Sequence, residues 1–127
     1  MTMPDIPKAE LHVHLEGTAT PELVRALAER NGMALPPGLF TEAGRFAWTD
    51  FLHFLKVYDD AASAIRTARD YRDVTYDYLR RCAAEGAVYV EVMSSPDHAK
   101  MAGLSFQDHL DGIVQGFEDA RADFGIE

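Results

Sequence analysis

The first regular pattern along the chain is an alternation of apolar and polar residues from Ala9 to Leu15, which predicts a short β-strand. In a strand, successive side chains point to opposite faces. The predicted apolar face carries Leu11, Val13 and Leu15, and the predicted polar face carries Glu10, His12, His14 and Glu16. Gly17 follows and ends the strand.

Longer segments have the period of an α-helix. The first helix is predicted to begin at the Thr20–Pro21 signal and to stop near Gly32. Two further helices are predicted from about Thr67 to Glu85 and from about Ser105 to Phe124, where apolar residues recur every three or four positions. Between them, one or two short helices rich in Phe, Leu and Tyr are expected around Asp50 to Asp60.

A second strand is predicted from Ala87 to Met93, because this stretch is almost entirely apolar, as in a strand covered on both faces. The alternation of strands and helices is typical of a parallel sheet, and Gly125–Ile126–Glu127 has the pattern of a third strand. A (β/α)8 barrel needs about 250 residues. We therefore expect residues 1–127 to form the N-terminal segment of one α/β TIM barrel domain, with a helical insertion after the first strand.

Composition narrows the classes of function. The chain is 47% hydrophobic with a formal net charge of −9, and no apolar run approaches the roughly 20 residues that a membrane-spanning helix needs. The acidic balance argues against a nucleic-acid partner. With no signal-peptide pattern and a single cysteine, Cys82, which cannot form an internal disulfide, a cytoplasmic location is expected.

The pair His12 and His14 is the most informative chemical feature. Residues i and i+2 of a strand lie on one face, roughly 6.6 Å apart along it, so that two imidazoles can reach one zinc ion. The pair also lies near the C-terminal end of its predicted strand, where barrel active sites are built. The alternative is a pair of ordinary half-buried histidines. The neighbouring Glu10 and Glu16 make this a poor core face, which favours a metal site.

Two segments carry a resemblance to a known family. Pro7 to Gly17, PKAELHVHLEG, followed by Pro21–Glu22, resembles the N-terminal signature of the adenosine deaminase family within the amidohydrolases. Glu85 to Val92, EGAVYVEV, followed by Ser95–Pro96, resembles the second barrel strand of the same family. Further matches at residues 31–36 and 124–126 extend the resemblance over essentially the whole chain.

The resemblance implies a TIM barrel with one Zn²⁺ that deaminates a purine at C6 by hydrolysis. Adenosine, converted to inosine and ammonia in purine salvage, is the leading substrate. Adenine or another 6-aminopurine is the alternative, because Glu16 stands where many adenosine-specific members have an Asp that contacts the ribose 5′-hydroxyl. A non-catalytic metal-binding barrel and an inactive fragment are the other possibilities.

The resemblance also implies roles for individual residues. His12 and His14 are expected to be zinc ligands, and His14, Glu16 and Gly17 are expected to contact the substrate. The third zinc His, the general acid Glu, a further His and a metal-binding Asp come from later strands in the family. We therefore expect no catalytic residue within this span, and we expect the complementary C-terminal part of the protein as a partner.

The roles of residues further along the chain are inferred from less specific motifs. Phe51, Leu52 and Leu55 match an apolar lid over the substrate in the family, although a helix packed on the barrel rim explains them equally well. The remaining histidines are expected at the surface or the rim of the barrel: His53, His98 and His109.

Overall fold

The computed structural model describes residues 2–127, in which two parallel strands alternate with helices. The strands are β1, Lys8–His14, and β2, Ala87–Met93. Three helices lie between the strands: α1, Pro21–Arg30; α2, Phe51–Ala62; and α3, Ala68–Ala84. After β2 come a short helix α4, Pro96–Met101, and a long helix α5, Phe106–Phe124. The predicted elements are present, and α4, which is too short to show a helical period, is an addition.

Each of the five helices begins at a residue whose side chain accepts a hydrogen bond from a backbone N–H of the first turn. Such a cap satisfies one of the N–H groups that a helix leaves without a partner at its start. The capping residues are Thr20, Asp50, Thr67, Ser95 and Ser105. Local sequence therefore fixes where each helix begins.

Helices α3 and α5 pack very closely and cover one face of the sheet. A Cβ on Gly112 would lie 2.2 Å from the carbonyl oxygen of Ala68, and a Cβ on Gly116 would lie 2.6 Å from the Cβ of Thr75. Only glycine at these two positions of α5 permits such an approach. The opposite face of β2, which carries Tyr89 and Met93, is exposed, and it is the face that a closed barrel would enclose.

Strand β1 departs from the regular alternation that the sequence predicts. Between the paired residues Glu10–Val90 and Val13–Val92, β1 has one residue more than β2. His12 lies in this bulge with φ 62°, a left-handed conformation that is uncommon for residues other than glycine. A bulge changes the face on which side chains lie. Glu10 is therefore paired beside the buried Val90, and its predicted place on the histidine face is wrong.

The predicted apolar face of β1 is not formed either. Leu11 is 58% exposed, whereas Leu15 is completely buried and lies beyond the strand, in a 3-10 turn that spans Leu15–Thr18. This turn directs Leu15 into the core beneath the sheet, together with Tyr71 and Val74 of α3. The chain thus leaves the sheet one residue earlier than the alternation suggests.

The third strand predicted at residues 125–127 begins in the structure. The N–H of Glu127 donates to the carbonyl of Val88 at 3.0 Å, and the N–H of Val90 donates to the carbonyl of Glu127 at 2.8 Å. This is the pairing of a parallel strand on the free edge of β2. Within residues 2–127, no helix combines the length and the apolar character that crossing a membrane requires.

Candidate functional site

The carboxyl end of β1 and the turn that follows it border an open cleft of about 510 Å³. Helix α2 and the loop before it form the opposite wall. The lining is mainly apolar and aromatic, with polar groups from the turn after β1. The lining includes His14, Glu16, Gly17, Trp48, Phe54, Leu55 and Tyr58. The cleft lies where parallel α/β folds usually bind their ligands.

His12 and His14 lie side by side at the end of β1, with ring centroids 5.7 Å apart and ring planes tilted by 52°. Two imidazoles that share a zinc ion each place a nitrogen about 2.1 Å from it, and the observed separation is compatible with that arrangement. Both side chains are exposed, so their lone pairs are not engaged in the core. The pair therefore fits two ligands of one metal ion.

The backbone at His12 supports a functional reading of this pair. A left-handed conformation costs an ordinary residue about 1–2 kcal/mol, and backbone strain of this kind clusters at functional sites. Across residues 2–127, however, no group of three or more His, Cys, Asp or Glu side chains is arranged to hold a metal ion. A complete zinc site therefore needs ligands beyond His12 and His14.

Glu16 forms part of the cleft floor and is anchored to the end of β2. The side chain is only 2% exposed. Its Oε1 accepts hydrogen bonds from the Ser94 hydroxyl at 2.5 Å and from the Ser95 N–H at 2.8 Å, whereas its Oε2 is buried without a hydrogen-bond partner. The sequence places Glu16 at the site, but only the fold reveals that one of its two oxygens is occupied.

His109 of α5 lies directly behind this carboxylate. It is 3% exposed, and its Nε2 is 2.7 Å from the Ser94 hydroxyl oxygen. Its ring packs edge-on against Tyr71 at a centroid distance of 4.5 Å. The prediction that His109 lies at the surface or rim is therefore wrong. His109 occupies a buried position of the α5 stripe, and a helical count from its buried neighbour Ile113 could have found it.

Burial lowers the pKa of His109 below its ordinary value, although the negative charge of Glu16 acts in the opposite direction. Protonation then favours the unfolded state, where the imidazole has its ordinary pKa of about 6.5. We expect the free energy of unfolding to fall as the pH drops below that value. Denaturant titrations of the complete protein between neutral pH and pH ~5 would measure this fall in the free energy of unfolding. His109→Gln should reduce this pH dependence, and an unchanged pH dependence would contradict the assignment.

Of the three residues expected to form a lid over the substrate, the structure places one in the cleft, and the lid role itself stays a prediction. Leu55 lines the cleft. Phe51 and Leu52 are 70% and 77% exposed and lie outside the lining, because the first turn of α2 directs them to solvent. Sequence reasoning missed Trp48 and Phe54, whose rings pack edge-on at 5.6 Å in the cleft wall. The helical spacing of Phe54, Val57 and Ala61 marks this inner face of α2.

Gly17 provides space for an aromatic ring. A Cβ at this position would lie 3.0 Å from the Cε2 atom of Tyr58, which is tighter than ordinary contacts. Tyr58 can therefore approach the turn that carries Glu16. Burial and the nearby Glu16 carboxylate raise the pKa of Tyr58 to about 12, so its phenol keeps its proton at neutral pH. The expected contact of Gly17 with a purine stays a prediction.

The chain is similar to known deaminases in sequence and in structure. A family model described as adenosine deaminase matches residues 7–127. The chain is 48% identical over 120 residues to the adenine deaminase of Chelativorans sp. (strain BNC1), covering 94% of this chain and 36% of that protein. It is 43% identical over 122 residues to the adenine deaminase of Pseudomonas putida (strain GB-1), covering 95% and 39% of the two chains.

Solved structures of related enzymes superpose on this chain. The adenine deaminase from Arthrobacter aurescens superposes with a TM-score of 0.79 at 34% identity, over 94% of this chain and 37% of that one. A zinc-bound amidohydrolase from Burkholderia ambifaria superposes with a TM-score of 0.80 at 27% identity, over 98% and 34%. The chain spans little more than a third of the length of these relatives, and its fold is the N-terminal part of a TIM barrel, as predicted. The strand ends, the histidine pair and the match over residues 7–127 lead to one conclusion: the chain belongs to the adenosine deaminase family.

Proposed function

We propose that the complete protein is a zinc-dependent hydrolase that replaces the 6-amino group of adenine by oxygen and releases ammonia. The observation that carries this proposal is the His12–His14 pair beside an aromatic-walled cleft at the carboxyl end of β1. The sequence resemblance alone favours adenosine. The similar proteins that are named adenine deaminases favour the free base, so adenine takes precedence as the proposed substrate.

The cleft is suited to a flat heterocycle. Its volume of about 510 Å³ falls within the roughly 300–1,000 Å³ that small-molecule sites occupy. Trp48 and Phe54 supply aromatic surface on the wall formed by α2 and the loop before it, and Glu16 supplies a polar group on the floor. A purine is an aromatic ring with polar edges, so these walls and this floor complement it.

His12 and His14 would hold the metal at the carboxyl end of β1. When bound, zinc supplies Lewis acidity, which lowers the pKa of the attacking water toward neutrality. The residues of this chain bind and orient: the histidines fix the metal end of the cleft, and the aromatic wall excludes water from the purine ring. We propose that the remaining metal ligands and the general acid lie in the complementary C-terminal part.

Because the proposed metal ligands are divided between residues 1–127 and the C-terminal part, residues 1–127 alone hold an incomplete site. Two imidazoles bind zinc more weakly than a site with three or four protein ligands, so we propose that this span by itself is inactive and acts together with the rest of the barrel. No membrane or nucleic-acid partner is part of the proposal. Cys82 is buried and has no disulfide partner, which suits the reducing cytoplasm that we propose as its location.

The substrate proposal is tested by steady-state kinetics on the complete protein. We expect kcat/KM for adenine to exceed kcat/KM for adenosine by roughly 10- to 150-fold, the value of one hydrogen bond to a charged group. Cytidine serves as the control and should not react. A higher kcat/KM for adenosine than for adenine would show that adenosine is the preferred substrate. No turnover of any 6-aminopurine would refute the deaminase proposal.

A further inference from the structure

Three polar side chains from three different segments form a hydrogen-bonded line behind the cleft, with two buried ends and a half-buried middle residue. Glu16 comes from the turn after β1, Ser94 from the end of β2, and His109 from α5. Glu16 and His109 are 2% and 3% exposed. The Ser94 hydroxyl oxygen lies 2.5 Å from Glu16 Oε1 and 2.7 Å from His109 Nε2. Only Glu16 of the three lines the cleft.

The chemistry of these three groups determines which one donates and which one accepts in each hydrogen bond. A carboxylate accepts hydrogen bonds only, so the Ser94 hydroxyl donates to Glu16. The hydroxyl oxygen then accepts from His109, which carries its proton on Nε2, while Nδ1 is buried without a partner. Burial keeps this imidazole neutral by lowering its pKa. Because His109 donates to the Ser94 oxygen and does not accept the Ser94 proton, this arrangement differs from the Ser–His pair of a nucleophilic serine.

The line determines which carboxylate oxygen is left without a hydrogen-bond partner. The Ser94 hydroxyl and the Ser95 N–H both bind Oε1, so the side chain cannot rotate without breaking two hydrogen bonds. Oε2 is left as a buried acceptor without a partner. A buried acceptor in this state favours a ligand that brings an N–H or O–H donor.

A free purine base brings such a donor, since one nitrogen of its imidazole ring carries a hydrogen. In a nucleoside that nitrogen is bonded to the sugar, and the donor is lost. We propose that Ser94 and His109 are positioning residues that hold Glu16 so that its Oε2 accepts the imidazole-ring N–H of a free purine base. This inference rests on the proposed function insofar as the cleft binds a purine, and it adds the feature that selects the free base.

The test uses binding rather than turnover. Purine and 9-methylpurine lack an amino group to remove and differ in the ring N–H. Their dissociation constants are measured by calorimetry on the complete, zinc-loaded protein. The variants are Ser94→Ala, His109→Leu and His109→Gln, of which the last keeps an amide N–H near the Nε2 position. Ser105→Ala removes the cap of α5 without touching Glu16 and serves as the structural control.

We expect the wild-type protein to prefer purine over 9-methylpurine by roughly 10-fold or more, because the bond is made to a charged acceptor. Ser94→Ala and His109→Leu should reduce this preference by roughly threefold or more, as loss of one supporting hydrogen bond predicts. His109→Gln should restore most of it, and Ser105→Ala should lower thermal stability with the preference unchanged. Equal weakening of both ligands in Ser94→Ala and His109→Leu would show a merely structural role and overturn the proposal.

The outcome also separates this inference from the proposed function. If the wild-type protein deaminates adenine but the purine preference does not respond to the variants, the positioning role fails and the deaminase proposal stands. If the preference responds but no 6-aminopurine is turned over, the binding site stands and the deaminase proposal fails. A wild-type protein that binds both purines equally would overturn the N–H contact itself.

Discussion

Replacing His12 or His14 by alanine in the complete protein is expected to remove bound zinc and deaminase activity together. Each variant takes one imidazole from the pair whose rings lie 5.7 Å apart at the end of β1. Loss of a partner that merely supports a metal ligand already costs about 10–100-fold, so loss of a ligand should lower kcat/KM by more than about 100-fold. Metal analysis of the purified variants and adenine turnover measure the two effects.

The matched control is His53→Ala, since His53 lies on α2 outside the cleft lining and accepts a hydrogen bond from the N–H of Thr49. This variant should keep its zinc and most of its activity. Unchanged zinc content in both His12→Ala and His14→Ala would refute the assignment of the pair. The fold should survive in both variants, because both side chains are exposed and the strand is paired through its backbone.

Asp70 is the most heavily hydrogen-bonded carboxylate described in residues 2–127. It is fully buried at the first turn of α3. It accepts from the N–H groups of Arg66 and Thr67, from the amide of Asn31 at 2.7 Å, and from the guanidinium of Arg30. Burial by itself raises the pKa of Asp70, but these hydrogen bonds outweigh it and hold the pKa below its ordinary value. Its stabilising contribution is therefore present at neutral pH and is lost in acid.

Asp70→Ala is accordingly expected to lower the free energy of unfolding by about 3–5 kcal/mol, since it leaves buried donors and the Arg30 cation without their acceptor. Asp70→Asn, which keeps the shape and removes the charge, should cost less, about 1.5–3 kcal/mol. Urea titration of the complete protein at neutral pH measures both. Asp77→Ala is the control on the same helix, because its ion pairs with Arg80 and Arg81 are partly exposed and worth about 0–1 kcal/mol. Equal losses for Asp70→Ala and Asp77→Ala would contradict the buried-network argument.

Much of this protein can be predicted from local sequence. The five helix starts follow from capping side chains, and β2 follows from an almost entirely apolar run with the predicted bounds. The spacing of His12 and His14 and their place at a strand end predict a metal-binding pair, and this assignment stays a prediction. These features depend on residues within a few positions of each other, so the sequence carries them directly.

Other features depend on which distant residues the fold brings together. The bulge at His12, which moves Glu10 to the other face, arises from pairing with β2. The exposure of Phe51 and Leu52, and the place of Trp48 in the cleft, depend on how α2 lies across the turn after β1.

The Glu16 site shows the same division most clearly. Sequence alone places a carboxylate, Glu16, two residues after His14, and it therefore predicts a carboxylate beside the candidate metal site. Ser94 and His109 stand 78 and 93 positions further along the chain, so no local pattern links them to Glu16. Only the tertiary structure decides that one oxygen is bound and the other is free, because burial and hydrogen-bond geometry are properties of packed elements.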